Sequence, residues 1–205
     1  NSAGVAYSEV TSFKTLAAAP VVSTVGVSEI TPTSAVLSGT VVTDNGAEIT
    51  ERGFVWLKGT ELPTTSSNKI KVEGTLGDFT TSLSDLEPNQ KYSYRAYAIN
   101  AKGTSYGDIM NFSTVAGRPV LSAVEVSNIK ETSAIFSSTV TDHGGATVSE
   151  VGFYYSKTEY FDVSSAEKVS KAFSTDGFTL SADNLEVGTV YYVRAFAKNS
   201  AGEGL

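Results

Sequence analysis

The feature that most limits what this chain can fold into is a period. Asn1-Ser2-Ala3-Gly4, Asn100-Ala101-Lys102-Gly103 and Asn199-Ser200-Ala201-Gly202 stand 99 positions apart. The same offset pairs Pro20 with Pro119, Thr33-Ser34-Ala35 with Thr132-Ser133-Ala134, and Gly53-Phe54 with Gly152-Phe153. It pairs Phe79 with Phe178 and Leu86 with Leu185, and lays Tyr92-Ser93-Tyr94-Arg95-Ala96-Tyr97-Ala98 over Tyr191-Tyr192-Val193-Arg194-Ala195-Phe196-Ala197. One slip occurs, at Asp44 and Asp142, and phase is recovered by Gly152. The chain therefore reads as one structural unit written twice. An indel confined to a turn, with register restored afterwards, is what a strand-based unit tolerates.

Each unit alternates with period two. Ala35 to Val41 and Ala134 to Val140 place apolar side chains on one face, and both end in Gly-bearing turns, Asp44-Asn45-Gly46 and Asp142-His143-Gly144-Gly145. Asn and Gly tolerate positive φ, so these stretches mark tight turns. Tyr92, Tyr94, Ala96 and Ala98 form one face of the most regular segment, and Ser93, Arg95 and Tyr97 the other. Hydrophobic residues make up 40% and charged residues 18% of 205, enough apolar content for an ordered core in each unit. The expected fold class is all-β: tandem antiparallel sandwiches of about seven strands each.

Leu86-Glu87-Pro88-Asn89-Gln90-Lys91-Tyr92, followed by Tyr94 to Gly103, resembles the fibronectin type III signature. In that family a Leu and a Tyr six apart form a tyrosine corner, and the next strand ends in an Asn and a Gly turn. Leu185, Tyr191 and the segment to Gly202 repeat the pattern, with Val187-Gly188 where the family prefers Pro. The resemblance covers nearly the whole chain and implies structural roles for Leu86, Tyr92, Leu185 and Tyr191. The family's second-strand Trp is absent; the sole Trp, Trp56, falls on the third strand. The third- and sixth-strand patterns are similar to repeats of exported bacterial surface proteins, which implies an extracellular or cell-surface setting.

The template divides the chain into residues 1–16, 17–115 and 116–205. Tyr7 to Thr15 lies in phase with Tyr106 to Thr114, the last strand of the first complete unit. Residues 1–16 thus read as the last strand of a preceding repeat, and residues 116–205 as a unit lacking its own. Either the sequence is a piece of a longer tandem array, or residues 5–16 of one molecule complete the C-terminal unit of another, head to tail. With an unpaired edge, the C-terminal unit is expected to be less stable alone than the complete one. Short linkers ending in Pro20 and Pro119 limit swing between neighbouring repeats.

Catalytic chemistry finds little footing. The single histidine, His143, sits in a Gly-rich turn, no Ser occupies a nucleophile motif, and there is no cysteine. Asp44-Asn45-Gly46 lacks the alternating ligands of a calcium loop. No phosphate-binding pattern is present, and no cofactor is implied. A net charge of −7 without a basic stripe argues against nucleic acid, and no apolar run reaches the roughly 18 residues of a membrane span.

Candidate binding residues fall in two places. Arg95, Tyr97, Arg194 and Phe196 project from the face opposite the core, beside Val55 and Tyr154 of the neighbouring strand. Tyr160-Phe161 sits in a segment that differs between the units. Such aromatics stack on sugar rings or anchor a protein partner. The expected role is a non-catalytic extracellular spacer or adhesion module in a tandem array. The alternatives are a carbohydrate- or protein-binding module, an accessory segment of a larger secreted enzyme, and the subunit of a strand-exchanged filament.

Overall fold

The computed structural model describes residues 2–205; Asn1, the first residue of the opening motif, lies outside the described residues. The chain forms two β-sandwiches in series. The first contains β1 (Val21–Ser28), β2 (Ala35–Thr43), β3 (Ile49–Lys58), β4 (Asn68–Lys71), β5 (Gly77–Leu83), β6 (Lys91–Asn100), β7 (Gly103–Tyr106) and β8 (Met110–Ser113). The second contains β9 (Val120–Leu121), β10 (Glu125–Ser127), β11 (Ser133–Asp142), β12 (Glu150–Ser156), β13 (Glu167–Ala172), β14 (Gly177–Asp183), β15 (Tyr192–Asn199) and β16 (Gly202–Gly204).

All pairings are antiparallel. In the first sandwich β1-β2-β5 faces β4-β3-β6-β7, with β8 also on β6; in the second, β9 and β10 flank β11-β14, facing β13-β12-β15-β16. The inner faces follow the period of two. Ala35, Leu37 and Val41 on β2 meet Phe54 on β3 and Tyr92, Tyr94, Ala96 and Ala98 on β6, forming one core. Ala134, Phe136 and Val140 meet Phe153, Ala195 and Ala197 in the other.

Two recurring motifs have direct physical causes. Asn100 Nδ2 donates to the carbonyls of Ala18 (2.8 Å) and Asp44 (2.9 Å), while its Oδ1 accepts from Lys102 N (2.8 Å). Asn199 does the same with Gly117, His143 and Ala201. One buried amide thus ties the entering chain, the β2–β3 turn and the β6–β7 hairpin together. Gly53 and Gly152 recur because a neighbouring strand passes over them. A Cβ at Gly53 would lie 2.0 Å from Ile70 O, and one at Gly152 2.3 Å from Val169 O.

The units differ at two edges. The first strand is continuous in the first sandwich and split into β9 and β10 in the second. In the first, Thr24 Oγ1 accepts from Ala96 N (3.0 Å); Ala123, at the equivalent place, has no hydroxyl. The last strand is two pieces, β7 and β8, in the first sandwich, and β16 alone in the second. Residues 5–16, read from sequence as a strand, pair with no strand among the described residues and are exposed throughout.

Candidate functional site

The outward side chains of β3 and β6 are covered rather than displayed. Tyr97 and Val55 are fully buried, as is Phe196, and Tyr154 nearly so. Tyr97 donates its hydroxyl to Glu51 Oε1 (2.8 Å), Lys69 reaches the same oxygen (2.9 Å), and Lys71 takes Oε2 (2.5 Å). The Lys71 bond, with Lys69 and Tyr97 adding to it, holds the Glu51 carboxyl down at about 2. Burial, then the Glu51 carboxylate, pushes the Tyr97 phenol up.

Arg95 lies over the Tyr106 ring at 3.7 Å and donates to Pro63 O (2.6 Å), pinning the β3–β4 connection across the sheet. In the second unit Lys168 spans Glu150 (2.9 Å) and the Phe196 ring (4.5 Å). The stripe expected from Arg95, Tyr97, Arg194 and Phe196 is corrected accordingly. Tyr97 and Phe196 are interior side chains beneath lysines, and Arg95 is committed to its own loop. Alternation places a residue on a face but does not reveal what crosses over that face.

Arg194 remains exposed, its guanidinium 5.5 Å from the Phe161 ring, which is half-buried. Tyr160 beside it is 88% exposed. An Asp162-capped 3-10 turn, Val163–Ser165, fixes the loop behind the pair.

A groove of about 500 Å³ opens at the far end of the second sandwich. Val126, Ile129, Phe136, Leu185, Tyr191 and Val193 line it. In the first sandwich the equivalent place is filled by β8. There Phe112 stacks on Tyr92 (5.5 Å) and meets Tyr94 edge-on (5.8 Å), and Trp56 packs edge-on to Tyr92 (5.8 Å). Leu86, Tyr92 and Tyr94 are buried, whereas Leu185, Tyr191 and Val193 are half-buried and Ile129 is 75% exposed. Both tyrosine hydroxyls accept from the backbone, Tyr92 from Glu87 N (2.9 Å) and Tyr191 from Glu186 N (3.1 Å). The tyrosine hydroxyl bond thus forms alike in both units, while the filling strand differs.

Two features escaped the sequence reading. Arg52 is buried and donates to the carbonyls of Glu73, Thr75, Leu76 and Gly77, organising the β4–β5 loop. Thr114 stitches β8 to the tyrosine corner; its recurrence as Thr15 was the available signal. His143 meets Asp176 (2.6 Å) and the Phe173 ring in an exposed turn. Among the described residues, no cluster of three His, Cys, Asp or Glu is placed to hold a metal ion, and no helix is long and apolar enough to cross a membrane.

No family model matches the chain, and no curated protein matches it. Fold and groove define a class: an all-β protein of antiparallel sandwiches in series, the second with a groove where the first holds β8.

Proposed function

We propose that the chain is a pair of fibronectin type III-like modules from an extracellular or cell-surface protein of bacterial type, serving as a non-catalytic spacer. The observation that carries this reading is the junction. Asn89 N donates to Val115 O (3.1 Å) and Asn89 Nδ2 to Gly145 O (2.7 Å), so the first unit grips both the linker and the second unit. Gly144 packs against Gly117 and Gly145 against Pro88, with no room for a side chain. A junction held by backbone contacts on both sides suits a stiff serial array rather than a hinged pair. Spin labels at Thr60→Cys and Glu159→Cys, in a chain with no other cysteine, test it. A single narrow distance distribution is expected; a broad one contradicts the spacer role.

A second reading rests on Tyr160, exposed beside the Phe161–Arg194 pair. An aromatic presented this way stacks on a sugar ring or anchors a protein partner. Glycan-array binding lost in Tyr160→Ala supports this site; binding unchanged by the substitution removes it.

A further inference from the structure

We propose that the groove beside β15 takes Val10–Thr15 of a second copy of this chain as an added antiparallel strand, in the register that β8 uses on β6. In the first sandwich that register sets Lys91 opposite Ser113, Tyr92 opposite Phe112, Ser93 opposite Asn111 and Tyr94 opposite Met110. Carried over by the 99-residue offset, Lys14 lies opposite Val190, Phe13 opposite Tyr191, Ser12 opposite Tyr192 and Thr11 opposite Val193.

The contacts of β8 have counterparts, save those made by Tyr94. Phe13 repeats Phe112, the ring that closes the core, and is 91% exposed where it stands. Thr114 Oγ1 accepts from Gln90 N (2.9 Å) and donates to Glu87 O (2.6 Å), and Thr114 N donates to Gln90 O (2.9 Å). Thr15 carries the same hydroxyl, and its partners would be backbone atoms of Thr189 and Glu186, which side-chain differences do not alter. Where Tyr94 donates to Met110 Sδ (3.4 Å), Val193 faces Thr11, so donor and sulfur disappear together. The backbone edge at residues 190–193, which leads into β15, supplies the ladder.

The match also has limits, which define the segment. Leu205 stands at the position of Tyr106, and Ser8 at that of Gly107, where any Cβ would meet Thr24 N at 2.3 Å. The added strand therefore begins after Ser8.

The donor is a second copy because the chain's own segment does not reach. Asn100 Nδ2 ties Ala18 to the Asp44 turn, at one end of the first sandwich, whereas Asn89 meets the second sandwich at the other. The groove lies at the far end of the second sandwich, about 60 Å away if each nine- or ten-residue strand runs about 30 Å. Residues 10–17, fully extended, span at most about 28 Å. Between copies, Leu16-Ala17-Ala18 takes the place of Val115-Ala116-Gly117 and Gly46 that of Gly145, so the contact repeats the internal junction. The contact joins one end of a copy to the opposite end of the next, so it is heterologous and association is head-to-tail. The pairing stands whether or not the array serves as a spacer.

Sedimentation of the 205-residue chain over a concentration series tests this, with Phe13→Asp and Val5→Asp in parallel. The expected result is a mass rising above 21.5 kDa with concentration. Phe13→Asp lowers association by roughly 30-fold or more, since the closing ring becomes a charge, while Val5→Asp, outside the segment, leaves it unchanged. Phe13 is exposed in the free chain, so the variant folds. A strict monomer at millimolar concentration overturns the proposal and leaves the groove to another strand. Association that ignores Phe13→Asp overturns it as well.

Discussion

Asn100 explains why four residues recur at one phase of this chain. Its buried amide bonds two carbonyls from separate segments, so Asn100→Ala removes both bonds and costs about 1–2 kcal/mol. Asn100→Asp costs at least as much, because a carboxylate cannot donate; denaturant unfolding measures both. Gly53→Ala places a methyl against Ile70 O, and its melting temperature falls although Ala is otherwise benign in a strand. Glu51 sets an acid dependence. Its carboxyl lies at about 2 in the folded state, against an ordinary 4.5. Its contribution is therefore whole above pH 4.5 and is lost as the pH falls toward 2. With Lys71 largely exposed, that contribution is about 1 kcal/mol. Glu51→Gln should flatten the acid limb of the stability curve; an unchanged limb assigns it to other groups. The asparagine motif was legible in the sequence as a repeated turn, but its three-way bonding was not. Nothing local to Asn100 announces that Ala18, 82 residues away, is its partner.

At the scale of the element, β8 is where the two sandwiches part. Phe112→Ala removes a buried ring stacked on Tyr92 and costs about 3–5 kcal/mol in the first unit. Phe13→Ala, its counterpart in sequence, leaves the stability of the free chain within about 0.5 kcal/mol. Amides of residues 190–193 should exchange with solvent faster than those of 91–94 under conditions that keep the chain monomeric. Equal protection would mean that the edge of β15 is already satisfied. The strands themselves could be read from alternation, as at Ala35, Leu37 and Val41, because a two-sheet core enforces a period of two. Tyr97 and Phe196 show where that reading ends. The face opposite the core is also covered, by Lys69 of β4, Lys168 of β13 and Pro63 of the β3–β4 connection, and no periodicity encodes that these segments cross it. Arg52 was illegible for the same reason: its carbonyl partners belong to a loop that the first unit alone possesses in that form.

At the scale of the molecule, the internal junction is a template for the contact between copies. Val115 O bonded to Asn89 N, and Phe112 closing the core beside it, show what Leu16 and Phe13 would do against Gly188 and Tyr191. Gly188 lacks the Asn89 side chain that reaches Gly145, so the contact between copies is weaker than the one within the chain, and it forms in a concentration-dependent way. The central claim is one of register, and a single disulfide reads register directly. Ser12→Cys and Tyr192→Cys placed in the same chain face each other across the added strand, with no native cysteine to compete. Under mild oxidation this chain is predicted to yield a ladder of covalent multimers on a denaturing gel, while Ser8→Cys with Tyr192→Cys yields none. Monomer alone from the first pair, or equal ladders from both, would contradict the account.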